Sequence, residues 1–126
     1  MKKQLEGIRI LIVDDEASIL EALSDNLVMH GATIYSAGNG LEAMEVLKDN
    51  MVDFILSDMR MPKANGIQFL KNLKITYPHP PPFFFLTGYA EEYSTEQMRE
   101  LGSNGVLSKP FKIKELIELI LANVKK

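Results

Sequence analysis

Five short apolar runs, each followed by a stretch whose apolar residues recur at helical spacing, limit this chain to very few architectures. The runs fall at residues 8–13, 33–36, 52–57, 83–86 and 105–108. Ile8-Arg9-Ile10-Leu11-Ile12-Val13 is short and β-branched, the pattern of a strand covered on both faces. Phe83-Phe84-Phe85 reads the same way. Between the runs, residues 17–30 carry Ile19, Leu20, Leu23, Leu27 and Val28 on a helical stripe that Gly31 closes. Residues 40–47 place Leu41, Met44 and Leu47 on one face, and residues 65–76 do so with Ile67, Phe69, Leu70 and Leu73. Residues 91–101 form a polar, thinly apolar helix, and residues 113–124 an amphipathic one. Residues 78–82, rich in proline, are a stiff connector.

Strand–helix alternation of this kind implies a parallel sheet with right-handed crossovers and helices on both faces. The expected fold is α/β: a doubly wound, five-stranded parallel sheet of order 2-1-3-4-5 with five helices, one domain over residues 1–126. The 126 residues suffice for a substantial core, and 46% hydrophobic with 25% charged residues argues against disorder. Fourteen basic and seventeen acidic side chains, a net charge of −3, argue against a broad phosphate-binding face and hence against direct nucleic-acid binding. No cysteine is present, which excludes disulfides and thiolate metal sites. No apolar run is long enough for a membrane span, and the charged start lacks a signal-peptide core, so a cytoplasmic location is the default expectation.

In such sheets ligands bind beyond the carboxyl ends of the strands. Those ends carry Asp14-Asp15, Asp58, Thr87-Gly88 and Lys109-Pro110, residues distant in sequence that converge on one crevice. Two carboxylates about 4 Å apart repel by on the order of 4 kcal/mol at an effective dielectric of about 20. A hard divalent cation such as Mg²⁺ relieves that repulsion. Lys109 adds a second positive charge suited to a phosphoryl oxygen, and Thr87 a hydroxyl donor. A carboxylate nucleophile, a metal and a cation together are the equipment for phosphoryl transfer to an aspartate. Taken singly, the same residues have plainer readings: Asp14 or Asp15 as a helix cap, Lys109-Pro110 and Thr87-Gly88 as turns. His30 and His79 lie away from the strand ends and read as surface residues.

Four segments in order, "ILIVDDE" (residues 10–16), "SDMRMPKANG" (57–66), "FLTGYA" (85–90) and "SKPF" (108–111), make the chain resemble the receiver domain of a bacterial two-component response regulator. The resemblance implies a phosphorylation-activated switch. Asp58 would accept a phosphoryl group from a sensor histidine kinase or a phosphotransfer protein, with transfer and loss catalysed by the domain itself. It implies Mg²⁺ held by Asp15 directly, by Asp14 through water, by Asp58 and by the backbone carbonyl of Arg60. Thr87 and Lys109 would meet the phosphoryl oxygens, Pro62 and Gly66 would shape the loop after Asp58, and Lys109-Pro110 would be cis. The expected output is dimerisation or effector docking on the face made by residues 91–101, 105–108 and 113–124. Members usually place an aromatic three residues before the lysine, where this chain has Val106. Arg60 and Tyr89 are expected at the mouth of the site. Three other readings remain: an Mg²⁺-dependent phosphatase with an aspartate nucleophile, a flavodoxin, and an inert receiver-like interaction module. The spacing in Asp14-Asp15-Glu16-Ala17 does not fit the first, and two aspartates after the first strand do not suit the flavin phosphate of the second.

Overall fold

The structure, a computed structural model, describes residues 3–59, 65–88 and 95–124. Its elements alternate as β1 (Arg9–Val13), α1 (Ala17–Met29), β2 (Thr33–Ala37), α2 (Gly40–Asp49), β3 (Phe54–Asp58), α3 (Gly66–Thr76), β4 (Phe83–Thr87), α4 (Thr95–Glu100), β5 (Gly105–Ser108) and α5 (Ile113–Asn123). The strands form one parallel sheet in the order β2-β1-β3-β4-β5. The doubly wound expectation therefore holds, including the order reversal beside β1.

Side-chain alternation along each central strand divides the core into two layers. Ile10, Ile12, Phe54, Leu56, Phe84 and Leu86 point to one side and pack with Leu23 and Leu27 of α1 and Leu116, Ile117 and Ile120 of α5. Leu11, Val13, Ile55, Phe83 and Phe85 point to the other side and pack with Ala43 of α2, Phe69, Leu70 and Leu73 of α3 and Met98 of α4. The triple phenylalanine serves both layers. Phe84 stacks on Phe54 at 5.4 Å between ring centroids, while Phe83 meets Phe69 at 5.4 Å and Phe85 at 5.1 Å, in tilted and edge-on geometries.

Some helix positions differ from the sequence expectation. Val28 is 52% exposed and Leu41 is 55% exposed. Val28 sits one residue past Leu27, the centre of the buried stripe, and so turns roughly 100° away from the core. Leu41 lies two residues from the buried Ala43, on the opposite side of α2. The third strand begins at Phe54, two residues later than expected, and β2, β3 and β4 each run one residue further, to Ala37, Asp58 and Thr87. The last two extensions carry Asp58 and Thr87 within the sheet itself. The fourth helix is described from Thr95 to Glu100; residues 91–94 of the expected helix lie outside the described residues. As the sequence indicates, α1 ends through Gly31, whose φ of 99° is left-handed and whose N–H reaches the Val28 carbonyl. At the opposite end of the sheet from the aspartates, Arg9 pairs with Asp53 at 3.3 Å and fixes β1 against β3. No helix among the described residues is long and apolar enough to cross a membrane.

Candidate functional site

The parallel register sets the site. Val13 of β1 pairs with Ser57 of β3, Asp58 of β3 with Leu86 of β4, and Thr87 of β4 with Ser108 of β5. Residues 14, 58, 87 and 109 consequently leave the sheet at one edge. Asp14 continues the β1–β2 pairing through its N–H to the Ala37 carbonyl, at 3.1 Å, and is fully buried. Its Oδ1 accepts the Glu16 N–H at 3.0 Å. Its Oδ2 is buried with no hydrogen-bond partner among the described residues, and Lys109 Nζ stands 3.8 Å away. That separation is too long for a hydrogen bond and short enough for a strong charge contact.

Neither aspartate of the pair caps α1. Glu16 occupies the N-cap position with extended backbone and no side-chain capping bond. Asp14 instead reaches forward to that residue's N–H, and Asp15 is exposed. Asp58 is the last residue of β3 and only 9% exposed, with Oδ1 accepting the Met59 N–H at 2.8 Å. Thr87 is buried, and its carbonyl accepts the Lys109 N–H at 2.7 Å. The Lys109-Pro110 bond is cis, as expected.

The three carboxylates of Asp14, Asp15 and Asp58 each place an oxygen within 4.8 Å of the others. Burial, reinforced by the neighbouring Asp58 and Asp15 charges, pushes the Asp14 carboxyl up to about 6, against the opposing pull of the Glu16 N–H and Lys109. A buried, unpartnered oxygen facing two further carboxylates is a donor set that fits a hard divalent cation. Asp14, Asp15, Asp58, Thr87 and Lys109 are thus brought together as the sequence suggests. Arg60, Pro62 and Tyr89 lie outside the described residues. Val106 is half-buried and packs with the layer that contains Met98 and Phe85.

The response regulator receiver domain family matches residues 10–121. The chain belongs to that family. This receiver is 38% identical over 114 residues to the transcriptional regulatory protein CpxR of Escherichia coli, a match covering 90% of this chain and 48% of CpxR. It is also 36% identical to a probable chemotaxis protein CheY of Rhizobium etli, over 95% of this chain and 97% of that one. The chain thus spans about half the length of CpxR but nearly all of the CheY protein. Among solved structures, a Francisella response regulator receiver domain superposes with a TM-score of 0.85 at 28% identity, covering 92% of this chain and 95% of that one. The chemotaxis response regulator CheY4 of Vibrio cholerae gives 0.81 at 28% identity, over 93% and 98%.

Residue-type reading of the receiver missed two contributors to the site, the N–H groups of Glu16 and Met59. Both are backbone donors, which any residue supplies, so no sequence signal marks them.

Proposed function

We propose that this receiver is a phosphorylation-activated switch in which Asp58 accepts a phosphoryl group from the phosphohistidine of a sensor histidine kinase or phosphotransfer protein. The observation that carries this reading is the convergence of Asp14, Asp15 and Asp58 with Lys109 at one sheet edge. An Asp58 carboxylate oxygen attacks the phosphorus. A P–O bond forms, the donor's P–N bond breaks, and the imidazole released retains the bonding electron pair. The Met59 N–H holds Asp58 Oδ1 in place, limiting the carboxylate to one presentation. Lys109, now facing Asp14, has the reach and charge to take a phosphoryl oxygen as negative charge accumulates. Asp14, Asp15 and Asp58, with the Arg60 carbonyl, are the groups that would hold Mg²⁺, which when bound supplies positive charge against the carboxylates and the phosphoryl oxygens. Transfer and later hydrolysis need no group from outside this set apart from the donor and water.

The test is treatment with acetyl phosphate and Mg²⁺, followed by intact mass and peptide mapping. One phosphoryl group on Asp58 is expected, with no adduct on Asp58→Asn. An adduct that survives this substitution unchanged would sink the assignment.

The output we assign to this switch is altered association on the face formed by α4, β5 and α5. The phosphoryl group brings roughly −1.5 to −2 charges into a crevice that already holds three carboxylates. Thr87 and Lys109, which must rearrange around it, sit where β4 and β5 feed that face, and the Thr87 carbonyl is bonded to the Lys109 N–H. Among its described residues, Thr95–Glu100, α4 buries Met98. An element whose described part is held to the core mainly by one side chain is among those most easily displaced. Amide chemical shifts of the protein with Mg²⁺ and beryllofluoride, a phosphoryl stand-in, are expected to move across residues 95–101 and at Val106. Changes confined to the neighbours of Asp58 would show binding without transmission.

A further inference from the structure

We propose that the buried hydroxyl of Ser57 is a positioning group for phosphoryl transfer: it sets the plane of the peptide between Asp58 and Met59, and through that peptide's N–H it holds the Asp58 carboxylate in the orientation from which it attacks. This role presupposes Asp58 as the phosphoacceptor. Ser57 sits one residue before the end of β3 with none of its surface exposed. Its register neighbours are Val13 of β1 and Phe85 of β4. Its side chain shares the face of Ile55 and so points into the apolar layer covered by α2 and α3. Alanine or valine would suit such a position, whereas a hydroxyl placed there must find an acceptor. That acceptor is the carbonyl of the next residue, Asp58, at 3.0 Å, in the only hydrogen bond the Ser57 hydroxyl makes among the described residues.

The Asp58 carbonyl belongs to the same peptide unit as the Met59 N–H. The unit is planar, so a bond that fixes its C=O also fixes the direction of its N–H. The N–H donates to Asp58 Oδ1 at 2.8 Å. The peptide is thus tied twice, by the side chain before it and by the carboxylate it orients. The carbonyl of Met59 accepts the Gly66 N–H at 3.1 Å, so the chain is held on the far side of Met59 as well. Without the hydroxyl, the peptide between Asp58 and Met59 can tilt about its flanking bonds, and the N–H and Oδ1 tilt with it. A carboxylate that samples several orientations spends less time aligned with an incoming phosphorus. That lowers the rate of attack and leaves the binding of the donor unchanged. A hydroxyl that only filled space would act on stability alone.

Ser57→Ala and Ser57→Cys test this by two readouts, each taken well below the melting temperature of the variant. In metal-free protein without phosphodonor, the Met59 amide proton should resonate downfield in the parent, as a donor to a carboxylate does. It should move upfield in both variants and exchange faster with solvent. With acetyl phosphate at saturating Mg²⁺, the limiting rate of Asp58 phosphorylation should fall by roughly tenfold in both variants, while the acetyl phosphate concentration that gives half of that rate stays as in the parent. Alanine is smaller than serine and cysteine larger, with a thiol that is only a weak donor. A packing effect would therefore separate the two variants, whereas loss of the hydroxyl moves them together. Parent-like limiting rates, an unmoved Met59 resonance, or slowing of one variant alone would each overturn the proposal. If the parent itself acquired no phosphoryl group on Asp58, the assignment of the phosphoacceptor would fall, and the role of Ser57 with it.

Discussion

Asp14→Asn will make the metal-free protein more stable at neutral pH and will at the same time weaken its hold on Mg²⁺. The buried carboxyl of Asp14 has its Oδ2 unpartnered and two carboxylates nearby, and its pKa is raised from 3.8 to about 6. A group whose pKa is higher in the folded than in the unfolded state binds more protons when folded. The folded protein is therefore fully favoured by this group only below pH about 4, and that contribution is lost as pH rises towards 6. Above pH 6 the charge persists as a penalty of about 2 kcal/mol, from 1.36 kcal/mol per pKa unit with allowance for relaxation. Asparagine keeps the oxygen that accepts from the Glu16 N–H, and its amide offers hydrogens to the facing carboxylates. At pH 7.5 without metal, Asp14→Asn should melt roughly 8 °C higher than the parent. The difference should shrink as pH falls through 6 and vanish well below the unfolded pKa of 3.8, where Asp14 is protonated in both states. Calorimetric Mg²⁺ titration should show a large loss of affinity in the variant, and in the parent an affinity that declines as pH falls below about 6. Equal melting temperatures at pH 7.5 would mean that the protein already relieves the Asp14 charge in some other way.

The same group shows how much of the site was legible in the sequence. Apolar strands covered on both faces end abruptly where water begins, so the residue after each run is a strand end, and Asp14, Asp58, Thr87 and Lys109 could be located from the runs alone. Parallel register then converts four strand ends into one crevice. What the sequence could not supply was the difference between Asp14 and Asp15. The two are adjacent and chemically identical, yet one is fully buried and the other exposed, because Asp14 still belongs to the β1–β2 pairing and Asp15 does not. Nor could it reveal the backbone donors that hold Asp14 and Asp58, or the Arg9–Asp53 pair, whose members stand 44 residues apart. Helix faces were less legible than strands. A stripe assigned by spacing takes in flanking positions such as Val28 and Leu41, whose burial depends on how the helix is rolled against the sheet, and that roll is fixed by tertiary packing alone.

Gly66→Ala should lower stability by about 3 kcal/mol, at the upper end for adding one methyl group to a packed site, and the melting temperature by roughly 10 °C. Gly66 opens α3, immediately after the loop that follows Asp58, and its N–H bonds the Met59 carbonyl at 3.1 Å. A Cβ there would lie 2.5 Å from the Asp58 carbonyl oxygen, 3.0 Å from Phe85 Cε1 and 3.1 Å from Met59 Cα. Two of those atoms belong to backbone and the third to a ring locked in the core, so none of the three can swing aside as the end of a flexible side chain would. The backbone must move, and the backbone in question carries Asp58. The displaced Asp58 carbonyl would strain its bond from Ser57 Oγ, now 3.0 Å, and the Met59 N–H would no longer point squarely at Asp58 Oδ1. Phosphorylation by acetyl phosphate should therefore slow even where the variant is folded, at a temperature well below its melting point. Gly88→Ala is the control. It lies at the same edge of the sheet, but among the described residues its Cβ would meet only Lys109 Cδ, at 4.0 Å, so its melting temperature should stay within a degree or two of the parent. If Gly66→Ala behaved like this control, the turn after Asp58 would have slack, and the glycine would not be what presses the aspartate into place.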